Sequence, residues 1–248
     1  MAVSGWMPMK TIMTGLPSNQ TGEKKKLILK LFHLVINLKS MKRITIILFC
    51  FIAYNVSAQE FDGAKWKAPY TLSFPEGWGV ERFLIPIEFA PSISYKGIED
   101  IRFTPGWANA KSEEYWSYAF LWYLDEMPVT SEATIQTHLN AYYTGLIGRN
   151  IEKRKIPKEK LFPVNTSVKE VTRESSDFKT FRGSIQMLDY MEQKPITLNC
   201  VVHVRTCTGR RNGLIFFEIS PKTSNDKIWT SLDLVWKSFD CNASAEKK

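Results

Sequence analysis

The chain has 248 residues, with 33 Lys and Arg against 25 Asp and Glu, a formal net charge of +8. Hydrophobic residues make up 44% and aromatics 13%, which excludes a disordered chain. Gly at 13 and Cys at 4 exclude a collagen-like or disulfide-dense scaffold.

The first predicted element is a secretory leader. Met41, Lys42 and Arg43 form a short positive region, residues 44–54 are an apolar run, and Val56, Ser57 and Ala58 place small residues before Gln59. This is the three-part plan of a signal peptide cleaved between Ala58 and Gln59. The apolar run is shorter than the about 20 residues a membrane-crossing helix needs, so no stable membrane anchor is expected after cleavage. Cys50 has Leu48 and Phe49 before it rather than small residues, which argues against lipidation. Residues 1–40 precede a complete leader with its own Met and are expected to be a gene-start artefact or an extended leader. Residues 1–58 hold eight basic residues and one acid, Glu23, leaving 25 basic and 24 acidic residues in 59–248, a net charge of +1. The basic balance therefore belongs to the leader. No nucleic-acid partner is expected, because phosphate binding needs a concentrated positive surface. The run Lys153, Arg154, Lys155 is diluted by Glu152 and Glu159 and reads as a solvated loop.

Residues 59–248 read as one domain, without a linker, repeat or low-complexity tract. Strands are predicted at 70–74, stopped by Pro75, and at 98–104, stopped by Pro105 and Gly106. A long aromatic strand follows at 115–124. A helix over 131–148 is predicted from apolar residues at 135, 139, 142 and 146, with Thr130 or Ser131 as its cap and Gly148 at its end. Strands at 179–191 and 196–207 flank a hairpin turn at 192–195. A second turn at 209–213, with Asn212 and Gly213 taking positive φ, leads into a strand at 214–220. The last helix spans 225–239, with Ile228, Leu232, Val235, Trp236 and Phe239 on one face, Asn225 or Ser224 as its cap, and Asp226 at the positive end of its dipole. The expected fold is a single α+β domain: an antiparallel sheet with two main helices, the C-terminal one packed on the sheet.

Catalytic motifs are absent from the sequence, and no catalytic residue, cofactor or metal is expected. His138 lies at the margin of the first helix's apolar stripe and reads as a boundary histidine. His203 sits on the parity opposite the apolar positions 196, 198, 200, 202 and 204, so it is expected to face solvent. A metal site from His203, Cys200 and Cys207 fails because four strand residues span about 13 Å, while zinc ligands sit ~2.0–2.3 Å from the ion. Glu99 and Asp100, Glu113 and Glu114, and Asp125 and Glu126 are adjacent pairs whose side chains point to opposite faces of a strand. They read as strand-end charges rather than acid/base dyads. Arg210 and Arg211 read as an exposed, solubilising turn. On the aromatic strand, Trp116, Tyr118, Phe120 and Trp122 share one face, with Tyr115, Ala119, Leu121 and Tyr123 on the other. Either the strand is central and covered on both sides, or the first set forms an aromatic ligand or interface surface.

Two stretches carry a resemblance. Tyr70 to Trp78 is a strand ending in Pro-x-Gly-Trp, and Leu214 to Pro221 is followed by a helix ending in Ser238 and Phe239. Together they resemble the PsbP/Mog1-like α+β fold, which implies a non-enzymatic binding or accessory role. The expected function is an exported, periplasmic or extracellular, non-catalytic binding or accessory module. Its partner would be an unknown protein or a small apolar or glycan ligand. The alternatives are an envelope hydrolase or thiol enzyme with an unrecognised site, and a subunit of an envelope assembly.

Three cysteines remain after leader cleavage. Cys200 and Cys207 lie in one strand about 23 Å apart and cannot pair. The strand 214–220 and the returning last helix are of nearly equal length, which carries Cys241 back beside Cys207. The expected disulfide is Cys207–Cys241, with Cys200 a buried free thiol.

Overall fold

A computed structural model describes residues 61–174 and 176–242, together with Lys26 alone. The predicted leader at 41–58, its cleavage site at Ala58 and Gln59, and the segment 1–40 lie outside the described residues.

Seven strands form one antiparallel sheet: β1 Gly79–Ile85, β2 Gly97–Phe103, β3 Tyr118–Leu124, β4 Asn165–Val171, β5 Lys179–Asp189, β6 Lys194–Thr206 and β7 Gly213–Ser220, in the order β1-β2-β3-β7-β6-β5-β4. Helix α1, Glu132–Gly148, covers one face and helix α2, Lys227–Lys237, the other. The fold is the expected single α+β domain, with the C-terminal helix packed on the sheet.

Two separate cores follow from strand alternation. Phe120, Trp122, Val202 and Phe217 pack with Ile135, Leu139 and Tyr142 of α1. Leu121, Tyr123, Leu214 and Phe216 pack with Leu232, Val235 and Trp236 of α2. The central strands β3 and β7 are buried along their whole length because each face of the sheet carries a helix.

Ser131 caps α1 by accepting from the Thr134 N–H. In α2 the cap is Asp226 itself, accepting from the Ile228 N–H, rather than Asn225 or Ser224. The 70–74 strand shrinks to a single bridge, Thr71 with Asp240. Positive φ in the second turn falls at Gly209, not at Asn212 and Gly213. Cys207 and Cys241 are joined, their Cα atoms 5.6 Å apart, and Cys200 is free and buried. Among the described residues, no helix is long and apolar enough to cross a membrane.

Tyr70 and its neighbours are held over the α2 face by a buried ion cluster. Asp100 of β2 accepts from the Tyr70 hydroxyl at 2.8 Å and pairs with Arg82 at 3.2 Å and with Arg102. Arg102 and Asp100 are both buried, and the Arg102 guanidinium also lies 4.7 Å from the Phe74 ring. The adjacent pair Glu99 and Asp100 is therefore not a strand-end charge. Both carboxyls are fully buried in mid-strand, one on each face of the sheet.

Candidate functional site

Strand β2 turns Glu99, Ile101 and Phe103 towards α1, and Glu81 and Phe83 of β1 lie on the same face. Between the end of β2 and the start of β3 the chain bends so that Trp107 stacks on Phe103 and Trp116 stands edge-on to Trp107. The last turns of α1 bring Tyr142, Leu146 and Arg149 over this corner of the sheet. Gly145 makes that approach possible: a Cβ there would lie 1.8 Å from the Phe89 carbonyl oxygen. The result is a pocket of about 250 Å³ with Glu99 on its floor, aromatic rings as its walls, and Glu81, Arg149 and Lys153 around it.

Glu99 is the unusual group. Trp122 Nε1 donates to its Oε1 at 3.3 Å, while Oε2 is buried with no hydrogen-bond partner. The Tyr142 hydroxyl lies alongside without a well-directed bond to it. Burial pushes the Glu99 carboxyl up to about 7, against the opposing pull of Trp122 and Tyr142. No Lys, Arg or His forms an ion pair with it among the described residues.

Trp116 is strained as well. Its φ of 54° lies in the left-handed region, which bulky residues avoid at a cost of order 1–3 kcal/mol. Its indole Nε1 is buried and unpartnered. A pocket holding a strained aromatic, a stranded donor and a stranded carboxyl is where ligand binding is expected.

Of the predicted aromatic surface, none is exposed: Trp116, Tyr118, Phe120 and Trp122 are all buried, because α1 and the 86–93 loop cover that face. Trp116 and Tyr118 line the pocket, whereas Phe120 and Trp122 pack into the core, Phe120 stacking 4.4 Å from Phe217. Glu99 was the missed residue. Its signal was a carboxyl flanked by Ile98 and Ile101; the predicted strand, 98–104, put it near an end, whereas the observed strand, Gly97–Phe103, puts it inside.

His203 does not face solvent. It has the predicted parity, but α2 and residues 176–178 cover that side of the sheet, and it is buried. Its Nδ1 meets Asp177 Oδ2 at 2.6 Å, and its Nε2 stands 3.4 Å from Glu218. Burial works against its charge, but the two carboxylates outweigh that and push its pKa up to about 9. Asp177 also accepts from Trp236 Nε1 at 3.1 Å and from Thr180, so this cluster ties α2 to the sheet. With both imidazole nitrogens facing carboxylates in the interior, it reads as structural.

The remaining candidates do not assemble. His138 stands T-shaped 4.7 Å from the Tyr95 ring, and its Nδ1 has no partner. Burial pushes the Cys200 thiol up to about 12, so it is not a thiolate. No hydrogen bond joins Cys200 to His138. Arg211 pairs with exposed Glu126 at 3.1 Å, and Glu113 meets Lys222. Among the described residues, no three His, Cys, Asp or Glu side chains converge as metal ligands. Compared with protein-family models, curated proteins and solved structures, the chain matches none.

Proposed function

We propose that the chain is an exported, non-catalytic binding module of the PsbP/Mog1-like kind, taking a small ligand in the Glu99 pocket. The observation that carries this reading is the Glu99 carboxyl, fully buried and without a directed donor at Oε2, in a residue that lines an aromatic cavity. A folded chain gains nothing from an unpaired carboxyl in its interior, whereas a ligand can supply the missing partner. The sheet between two helices and the Ser238–Phe239 helix end support the resemblance. The Cys207–Cys241 pair suits an oxidising compartment, as the leader at 41–58 implies.

One observation favours a hydrolase as the second reading. In the β1–β2 register, Glu81 is diagonal to Glu99 on the pocket face, a separation of about 7–8 Å between the two residues, somewhat less between their Cβ atoms. Acid/base carboxyl pairs of inverting glycosidases stand ~6.5–9.5 Å apart.

Both readings meet one experiment. Tryptophan fluorescence and thermal shift are recorded with choline, phosphocholine, decanoate, N-acetylglucosamine and an aryl glucoside. At least one is expected to bind, and Leu146→Trp, which fills the pocket from α1, is expected to weaken it about tenfold or more while circular dichroism stays unchanged. The binding reading is overturned if nothing binds, or if binding ignores Leu146→Trp and a second filling variant, Ile101→Phe. Cleavage of the glucoside by the wild type but not by Glu81→Gln would move the chain to the hydrolases.

A further inference from the structure

We propose that the pocket recognises a small zwitterion, with its ammonium group against Glu99 among the aromatic rings and its anionic group at Arg149 and Lys153. The inference rests on the pocket being a ligand site, and it names the chemistry that fits.

The floor calls for a cation. Glu99 has no exposed surface, its Oε2 has only the poorly directed Tyr142 hydroxyl beside it, and no basic side chain among the described residues pairs with it. An ammonium there forms the ion pair that the chain withholds, and a quaternary ammonium, which has no N–H, does so by charge alone. The walls favour the same group. Tyr142 stands beside the carboxyl, Tyr118 and Trp116 line the pocket further along towards Phe103, and a desolvated cation gains from such rings.

The mouth asks for the opposite charge. Arg149 rests 5.2 Å from the Phe89 ring centroid, and neither it nor Lys153 has a carboxylate partner among the described residues. A simple amine leaves these two exposed cations to water and to Glu81, whereas an anionic group on the same ligand adds a charge-assisted contact with them. A simple anion would leave Glu99 unmatched, and a hydrocarbon would strand both Glu99 Oε2 and Trp116 Nε1. A compact zwitterion satisfies both ends, and the cavity of about 250 Å³ limits it to the size of phosphocholine or an amino acid. Around Glu99 the titratable groups are Glu81 from β1, Tyr118 from β3 and Tyr142 from α1. Burial and the nearby carboxyl hold both phenols protonated, so Glu99 governs the pH response near neutrality.

Calorimetry of the purified protein with phosphocholine, choline and inorganic phosphate tests this. Phosphocholine is expected to bind at least about tenfold more tightly than choline, and phosphate alone not measurably. Glu99→Gln is expected to lower affinity for phosphocholine and choline about tenfold or more, and Arg149→Met to lower it for phosphocholine alone. Choline, which does not titrate, should bind more weakly as pH falls through 7, because Glu99 then takes up a proton. Co-sedimentation with phosphatidylcholine vesicles would identify a lipid headgroup as the source, and soluble phosphocholine binding without vesicle binding a free zwitterion. The inference is overturned if Glu99→Gln binds phosphocholine as the wild type does, or if decanoate or N-acetylglucosamine binds in a Leu146→Trp-sensitive way while choline does not. In that second outcome the pocket remains a ligand site. Absence of binding by every probe overturns both.

Discussion

Asp100→Asn is expected to destabilise the protein by about 3–5 kcal/mol, measured by urea denaturation, because it leaves buried guanidinium charge without a partner. Arg102 is buried and pairs with Asp100 from two residues along the strand, while Arg82 reaches it from β1 at 3.2 Å. Tyr70 donates its hydroxyl to the same carboxylate, so the cluster also holds residues 70–74 against β2. The large effect comes from the stranded cations rather than from the strength of the pair. Removing Asp100 and Arg102 together, as Asn and Met, should therefore cost less than removing Asp100 alone. A single-variant loss below about 1 kcal/mol, in the range of exposed ion pairs, would mean that water reaches Arg102.

Cys241→Ser is expected to cost about 4 kcal/mol, the chain-entropy value for a disulfide spanning 34 residues. The closed loop contains β7 and α2, so the bond ties the last helix to the end of β6. Cys207→Ser should match it, and Cys200→Ala should behave like an ordinary small-to-smaller core change. Denaturation midpoints of the wild type with and without reductant check the pairing. If reductant lowers the midpoint of Cys241→Ser as much as that of the wild type, the stabilising bond lies elsewhere.

The elements legible in the sequence were those whose burial is one-sided or complete. The last helix shows its stripe of Ile228, Leu232, Val235 and Trp236 because one face meets the sheet and the other meets water. Strands β3 and β7 read as apolar runs because both faces are covered. Both edge strands were missed. Along β4, Asn165–Val171, only Val168 is buried, and β1, Gly79–Ile85, buries only Ile85, so neither carries the alternation that marks a strand. Polar and charged residues on edges are what keeps such strands from pairing with other chains. The aromatic face was visible, but its role was not. Parity places Trp116 and Tyr118 on the face with Phe120 and Trp122, and only the passage of α1 and the bend at Trp116 leave a cavity beside the first two. His203 misled for the same reason: parity tells which face a residue occupies, not what covers it. Glu99 and Asp100 were hidden by treating adjacent carboxyls as a solvated pair, when the apolar residues on either side already placed them inside a strand.

The central claim is that Glu99 is retained unpaired in the interior for a ligand, at a cost to the fold. Stability of the wild type and Glu99→Gln as a function of pH, without ligand, tests it most directly. Burial raises the Glu99 carboxyl from 4.5 to about 7 in the folded chain. Between those values the unfolded chain releases its proton first, so folding stability falls as pH rises through the window and the full penalty stands above 7. A shift of that size is worth up to about 3 kcal/mol. Gln cannot ionise, so Glu99→Gln should be more stable than the wild type near pH 8 by up to about 3 kcal/mol, with the gain vanishing near pH 4. A variant less stable than the wild type near pH 8, or a difference between the two that does not change with pH, would contradict the account.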